Sequence, residues 1–104
     1  MSSAVRRALL EDRRWFVLDA IAQMADRRLN ADIILMILRN MGRPAGVDDI
    51  REDLEHLERE GCVTLERMNV SPGRSLWVAT LTAEGLQVRD NTREVPGVAL
   101  RRPL

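Results

Sequence analysis

The chain has 104 residues, 45% of them hydrophobic, which suits one domain with a single modest core. Its 16 basic residues, all arginine, balance 16 acidic residues, so the zero net charge argues against strong non-specific binding to nucleic acid. One cysteine excludes an internal disulfide and favours a reducing compartment. Because the sequence shows neither a membrane-spanning run nor the apolar stretch of a signal peptide, we expect a cytoplasmic protein without membrane contact.

The first predicted element is a long helix that begins after a cap at Ser2 or Ser3 and runs to about residue 25. Two apolar stripes lie on it. The stripe expected to face the core contains Val17, Leu18, Ile21 and Ala25. The stripe on a different side contains Val5, Leu9, Phe16 and Ala20. A small monomer seldom buries both stripes, so either the helix breaks near residues 11–12 and folds back, or the second stripe forms a homodimer interface.

A second helix, capped by Asn30, has an apolar body over residues 33–38. A helix that is apolar all round is buried on several sides, either as the hub of a three-helix core or partly in a subunit interface. Residues 42–46 contain two glycines and a proline and predict a short turn. The third helix follows, with a core face formed by Val47, Ile50, Leu54 and Leu57.

A β-hairpin is predicted after Gly61, which suits the left-handed residue that ends a helix. Alternation indicates strands at residues 62–68 and 76–81, joined by a turn over residues 69–75, and places Trp77 on a partly buried face. Thr82 caps a short helix to about residue 90. Residues 1–90 therefore form the predicted domain, and residues 91–104 form an extended arm that is ordered only where it finds a surface.

Charge is distributed unevenly along the chain. Residues 1–46 carry eight arginines against five acids, residues 47–60 two against seven, and residues 61–104 six against four. The regular spacing of the acids in residues 47–60 is typical of a solvated helix face. His56 and Cys62 are too few for a metal site, no phosphate-binding loop or catalytic constellation is present, and we expect neither a cofactor nor enzymatic activity.

Two stretches resemble the winged helix-turn-helix regulators of the MarR, PadR and ArsR families. VDDIREDLEHLEREGCV, residues 47–63, looks like their third helix running into its strand, and LTAEG, residues 81–85, is similar to the step from wing to next helix. The tail, with VPGV at residues 95–98 and RRP at residues 101–103, looks like that of small winged-helix proteins of Mu-like bacteriophages. The resemblance implies a mainly α fold with a small β-hairpin, in the order α-α-α-β-wing-β-α.

The resemblance also implies binding of double-stranded DNA, usually as a homodimer, with the third helix in the major groove and the wing at the minor groove or backbone. The groove-facing positions are then Asp48, Asp49, Glu52, Glu55, His56 and Arg59, and the wing contacts are Arg74 and Arg67. If the protein binds DNA, its phosphate contacts are expected to come from Arg43, Arg74, Arg27, Arg28 or the terminal arms.

Four of the six groove-facing side chains are acids, which a phosphate-lined groove repels. Two functions therefore remain open. One is a homodimeric DNA-binding regulator, and the other is a protein-interaction module whose acidic helix docks a basic partner, for example in a phage complex.

Overall fold

A computed structural model describes residues 2–101 and contains four helices and three strands in this part of the chain. In chain order they are α1 (Ser3–Ala22), β1 (Arg28–Asn30), α2 (Ala31–Asn40), α3 (Val47–Arg59), β2 (Val63–Ser71), β3 (Arg74–Leu81) and α4 (Ala83–Arg89). The strands form an antiparallel sheet in the order β1-β3-β2. The arrangement is the predicted winged helix-turn-helix fold with one additional strand. No helix within residues 2–101 is long and apolar enough to cross a membrane.

Local signals begin three of the helices where the sequence predicts. The Ser2 hydroxyl accepts a hydrogen bond from the Val5 amide, the Asn30 side chain accepts one from Ile33, and Thr82 accepts one from Gly85. Each contact satisfies a backbone donor that the first turn of a helix leaves unpaired. The sequence predicted that α1 runs to about residue 25. The helix ends at Ala22 instead, so Ala25 lies exposed outside it.

The core lies where α1, α2 and α3 meet the inner face of the sheet. Its fully buried aliphatic side chains, each at most 1% exposed, include Val17, Leu18, Ile21, Ile34, Leu38, Ile50, Leu54 and Leu57. One prediction about this core was wrong. Val47 is 48% exposed because it occupies the first turn of α3, at the end of the core stripe. In α2, Ala31, Ile34, Leu35 and Leu38 are buried, whereas Ile33 and Met36 are 39% and 56% exposed.

β1 is an element that the sequence analysis missed. Arg28, Leu29 and Asn30 pair with Thr80, Ala79 and Val78 of β3. A three-residue strand carries no periodic signal of its own, and its backbone groups are satisfied only by a strand about fifty residues away. β1 closes the second edge of β3 and leads directly into α2.

The hairpin is longer and its turn tighter than predicted. β2 and β3 pair from Val63–Leu81 to Ser71–Arg74, with a register irregularity between Asn69 and Ser71. Gly73 has a φ of +75°, so the turn uses the left-handed conformation that glycine adopts without steric cost. Trp77 is half-buried and packs against the core, in agreement with the sequence prediction.

The C-terminal segment, residues 95–101, folds back onto α1 and α3. Val98 is 7% exposed within the core, the Ala99 amide donates to the Glu11 carbonyl at 3.1 Å, and the Arg14 guanidinium donates to the Gly97 carbonyl at 3.2 Å. Residues 102–103, which belong to the tail motif, lie outside the described residues.

Candidate nucleic-acid interface

The helix-turn-helix unit consists of α2, the turn at residues 41–46, and α3. Among the hydrogen bonds that hold this turn, the Arg43 amide donates to the Leu38 carbonyl, the Arg39 guanidinium donates to the Ala45 carbonyl, and the Gly46 amide donates to the Asp49 carboxylate at 2.8 Å. Asp49 therefore caps α3 and lies near the positive end of its helix dipole. The Asp49 carboxylate is thus engaged by the N-terminus of its own helix.

The solvent-facing side of α3, which we call the crest, is defined by Asp48, Glu52, Glu55 and Arg59. These residues lie opposite the buried stripe on the helical wheel, and Asp48, Glu52 and Arg59 are exposed, whereas Glu55 is partly exposed. The crest thus brings together four of the predicted groove-facing side chains, and three of these four are carboxylates.

Asp53 is the only acidic residue of α3 that is buried, with an exposure of 0%. Its carboxylate accepts two hydrogen bonds from Arg13, at 2.6 and 3.0 Å, and one from Arg14 at 3.0 Å. This hydrogen bonding raises the pKa of the Arg13 guanidinium above its ordinary value. The sequence analysis treated all acids of this helix as solvated, and for Asp53 that was wrong. Its spacing from Ile50 and Leu57, three and four residues, already placed it on the core stripe.

His56 lies beside the crest rather than on it. Its Nε2 is 2.7 Å from the Pro96 carbonyl oxygen, so the ring joins α3 to the folded-back C-terminal segment. The neighbouring Gly97 has a φ of +80°, and a Cβ there would collide with the His56 ring. His56 is therefore half-buried and engaged with the C-terminal segment.

Four of the predicted basic contacts have an acidic partner within the chain. Arg43 pairs with Asp12 at 2.9 Å, Arg67 with Glu58 at 3.3 Å, Arg74 with Asp32 at 3.5 Å and Arg28 with Glu66 at 2.7 Å. These pairs differ in solvent access. The Arg74 and Asp32 side chains are 66% and 51% exposed, so water screens their attraction and the pair contributes little to stability.

Arg27, another predicted phosphate contact, has a φ of +57°, and its Nη1 is buried without a hydrogen-bond partner in residues 2–101.

Two arginines flank the base of the wing. Arg51 of α3 and Arg67 of β2 place their guanidinium carbons 4.9 and 4.5 Å from the centre of the Trp77 ring. Arg51 also donates to the Ser75 carbonyl at 3.1 Å. Cation–π contacts and this hydrogen bond fix the hairpin against α3. Arg51 and Trp77 thus connect α3 to the wing, a role that the sequence alone did not indicate.

The four residues of the predicted interface stripe separate into two groups. Val5 and Leu9 are 48% and 54% exposed, whereas Ala20 is 5% exposed and already packed within the chain. Phe16 is half-buried. The Arg43 guanidinium covers its ring at 3.5 Å, and Arg101 lies 4.6 Å from the ring centre. Only the N-terminal half of the stripe therefore presents apolar surface to solvent.

Cys62 is buried, and burial raises the pKa of its thiol to about 11. Cys62 thus packs as a small buried hydrophobe. Within the described residues no group of three histidine, cysteine, aspartate or glutamate side chains is placed to hold a metal ion.

No protein-family model and no curated protein sequence matches the chain. Among solved structures it is similar to PadR of Bacillus subtilis in complex with operator DNA, with a TM-score of 0.63, 20% identity, and coverage of 80% of this chain and 48% of that one. It is also similar to a PadR-family transcriptional regulator from Eggerthella lenta, with a TM-score of 0.58, 22% identity, and coverage of 86% and 79%. The chain spans about half the length of the B. subtilis protein, and the likeness establishes the winged helix-turn-helix fold.

Proposed function

We propose that this protein binds duplex DNA in the cytoplasm as a small winged-helix regulator. The observation that carries the proposal is the α2–turn–α3 unit with its adjoining β2–β3 wing, an arrangement similar over 80% of the chain to PadR in complex with operator DNA. In this proposal α3 enters the major groove, and the tip of the wing meets the phosphate backbone or the minor groove.

The acidic crest sets the electrostatics of such a complex. Phosphate contacts must come from arginines, and Arg74 at the wing tip, 66% exposed, is more accessible than Arg28, Arg43 and Arg67. Its exposed pair with Asp32 is worth at most about 1 kcal/mol, so a phosphate can replace Asp32 at small cost. Glu52 can accept a hydrogen bond from cytosine N4, which gives the crest a role in base selection.

The test is a set of gel-shift titrations on random duplex at two salt concentrations. Arg74→Ala is expected to weaken binding to all sequences alike and to reduce the salt slope by about one unit, because one phosphate contact is lost. Asp32→Asn is expected to strengthen binding, because it frees Arg74 without touching the wing. Glu52→Gln is also expected to strengthen it by removing repulsion. Arg93→Ala, an exposed arginine outside the proposed contact set, is the matched control. If the unaltered protein shows no shift even near 50 mM salt, the DNA proposal fails.

A second candidate function rests on the acidic crest of α3 and on exposed apolar side chains of α2. Ile33 and Met36 are exposed on α2, beside a helix whose crest is acidic, and this combination suits a basic amphipathic segment of another protein. Here Glu52→Gln is expected to weaken the complex, and Arg74→Ala is expected to have little effect. Opposite responses of one substitution thus separate the two candidates.

We further propose that the protein forms a homodimer through the exposed apolar positions Val5 and Leu9. In sedimentation, Val5→Glu is expected to shift the protein to the mass of a monomer, whereas Val70→Glu, at a similarly exposed position on the wing, should leave the mass unchanged. An unchanged mass for Val5→Glu would contradict the dimer.

The tail motif at residues 95–98 supports a phage or prophage origin. The genes that flank the coding sequence test this origin. Phage structural or packaging genes are expected there, and a neighbourhood of ordinary metabolic genes would contradict it.

A further inference from the structure

Three charged side chains from distant parts of the chain meet around one aromatic ring. Asp12 of α1 accepts a hydrogen bond from the Nε of Arg43, in the helix-turn-helix turn, at 2.9 Å, and its other oxygen accepts one from the Nη1 of Arg101, in the C-terminal segment, also at 2.9 Å. The guanidinium carbons of Arg43 and Arg101 lie 3.5 and 4.6 Å from the centre of the Phe16 ring. We call the three charged residues the Asp12 cluster.

Arg43 is fixed by this cluster but keeps part of its guanidinium free. Its backbone amide donates to the Leu38 carbonyl at 2.9 Å, its guanidinium lies against Phe16, and its Nε is bonded to Asp12. Within residues 2–101 the hydrogen bonding of this side chain involves the Nε alone, which leaves the two terminal nitrogens for another acceptor. A guanidinium held in this way loses little further conformational entropy when it binds an oxyanion.

Arg43 also lies where a phosphate contact is useful. It stands four residues before the start of α3, and phosphates border the major groove that the N-terminal end of such a helix enters. Together with Asp12 it lines an open groove of about 430 Å³ between α1 and the turn, so the pair is reached by solvent. Position and orientation thus suit Arg43 for a phosphate.

The charge of the cluster depends on Arg101. Asp12 alone cancels the positive charge that attracts a phosphate to Arg43. Arg101 binds the second oxygen of the same carboxylate, so two arginines and one aspartate leave the cluster with a net charge of +1. The side chains of Asp12, Arg43 and Arg101 are 30%, 29% and 43% exposed, so water reduces this effect without abolishing it.

Arg101 reaches Asp12 because the C-terminal segment is docked on the domain. The Arg101 amide donates to the Asn91 side-chain oxygen at 2.7 Å, and the Ala99 amide donates to the Glu11 carbonyl of α1 at 3.1 Å. The docked segment therefore connects the end of the described chain to the turn that precedes α3.

We propose that the C-terminal segment sets the strength of DNA binding through Arg101, which offsets the charge of Asp12 and leaves Arg43 able to bind a phosphate. This inference rests on the DNA binding proposed above. Arg101 is a positioning residue, because it acts through Asp12 and Arg43 and not by touching DNA itself. Detaching the segment from α1 thus lowers the affinity for DNA without any change in α3 or the wing.

The test is a double-mutant cycle in the full chain, measured by gel-shift titrations on random duplex at two salt concentrations. Arg43→Ala is expected to reduce the salt slope by about one unit. Arg101→Ala is expected to weaken binding by roughly twofold to fivefold, and Arg101→Lys, which keeps the charge, should restore it. In the Arg43→Ala background, Arg101→Ala should have no further effect. Arg93→Ala, an exposed arginine outside the Asp12 cluster, is the matched control and should bind as the unaltered protein does.

A second cycle keeps the test valid if Arg101→Ala loosens the C-terminal segment. Asp12→Asn retains an oxygen that accepts from the Arg43 Nε, but it removes the charge that Arg101 offsets. Arg101→Ala is therefore expected to have no effect on binding in the Asp12→Asn background. A loss that persists there would come from the loosened segment or from a direct contact of Arg101 with DNA, and it would overturn the proposal.

The remaining outcomes separate this proposal from the DNA function. If the unaltered protein shifts duplex while Arg101→Ala binds equally well, or weakens binding further in the Arg43→Ala background, only the role of Arg101 is wrong. If the unaltered protein gives no shift near 50 mM salt, the DNA function is wrong and this proposal falls with it.

Discussion

Removing the buried carboxylate of Asp53 tests how α1 and α3 are held together. Asp53→Ala leaves Arg13 and Arg14, only 16% and 12% exposed, without their shared acceptor. Breaking a buried ion pair by removing one partner costs about 3–5 kcal/mol, because the remaining charge stays poorly hydrated. Two arginines lose their acidic partner here, but both retain some access to water and Arg14 keeps its hydrogen bond to the Gly97 carbonyl, so we expect the free energy of unfolding to fall by about 3–4 kcal/mol.

Chemical denaturation followed by tryptophan fluorescence measures this loss. A domain of this size has a total stability of about 5–15 kcal/mol, so the variant should remain folded near room temperature but melt roughly 12–30 °C lower. Glu52→Ala is the matched control, since it removes an exposed acid one residue away and should change stability by no more than about 0.5 kcal/mol. A loss below about 1 kcal/mol for Asp53→Ala would refute the reasoning that this carboxylate anchors α3 to α1.

Three further predictions concern packing and the thiol. Trp77→Ala should destabilise by about 2–4 kcal/mol, because it removes a half-buried ring and its contacts with Arg51 and Arg67, and a loss below about 1 kcal/mol in urea denaturation would contradict this. Gly85→Ala should destabilise by about 1–3 kcal/mol, because a Cβ there overlaps the Cys62 carbonyl. An unchanged melting temperature would show that α4 can shift. The folded protein holds the Cys62 proton more tightly than the unfolded chain, so the associated stability should be present below pH 9 and decline towards pH 11. Flat stability across that range would disprove it.

The close approach of Gly85 to the Cys62 carbonyl explains the LTAEG motif, residues 81–85, in physical terms. Thr82 accepts from the Gly85 amide as the cap of α4 and donates its hydroxyl hydrogen to the Gly61 carbonyl at 2.6 Å. Gly85 is needed because α4 crosses directly over the Cys62 backbone. A stretch first noticed as a family resemblance thus joins the third helix, the sheet and the last helix.

Sequence by itself determined the elements whose signals are local. Ser2, Asn30 and Thr82 cap helices through contacts three residues along the chain, and Gly61 ends α3 with a φ of +77°. The strands of the hairpin were predicted from alternation and the Pro72-Gly73 turn. These features depend on neighbours within one or two turns, so the winged helix-turn-helix order could be derived before any contact was known.

Tertiary structure alone decided the features that depend on distant partners. β1 exists only because β3 supplies its hydrogen bonds, and the C-terminal segment finds its place against α1 and His56. For the candidate site the same holds. The sequence located the acidic helix, but only packing against Arg13 and Arg14 distinguishes the buried Asp53 from the solvated Glu52. Two carboxylates on one helix thus differ in role because one faces buried arginines and the other faces water.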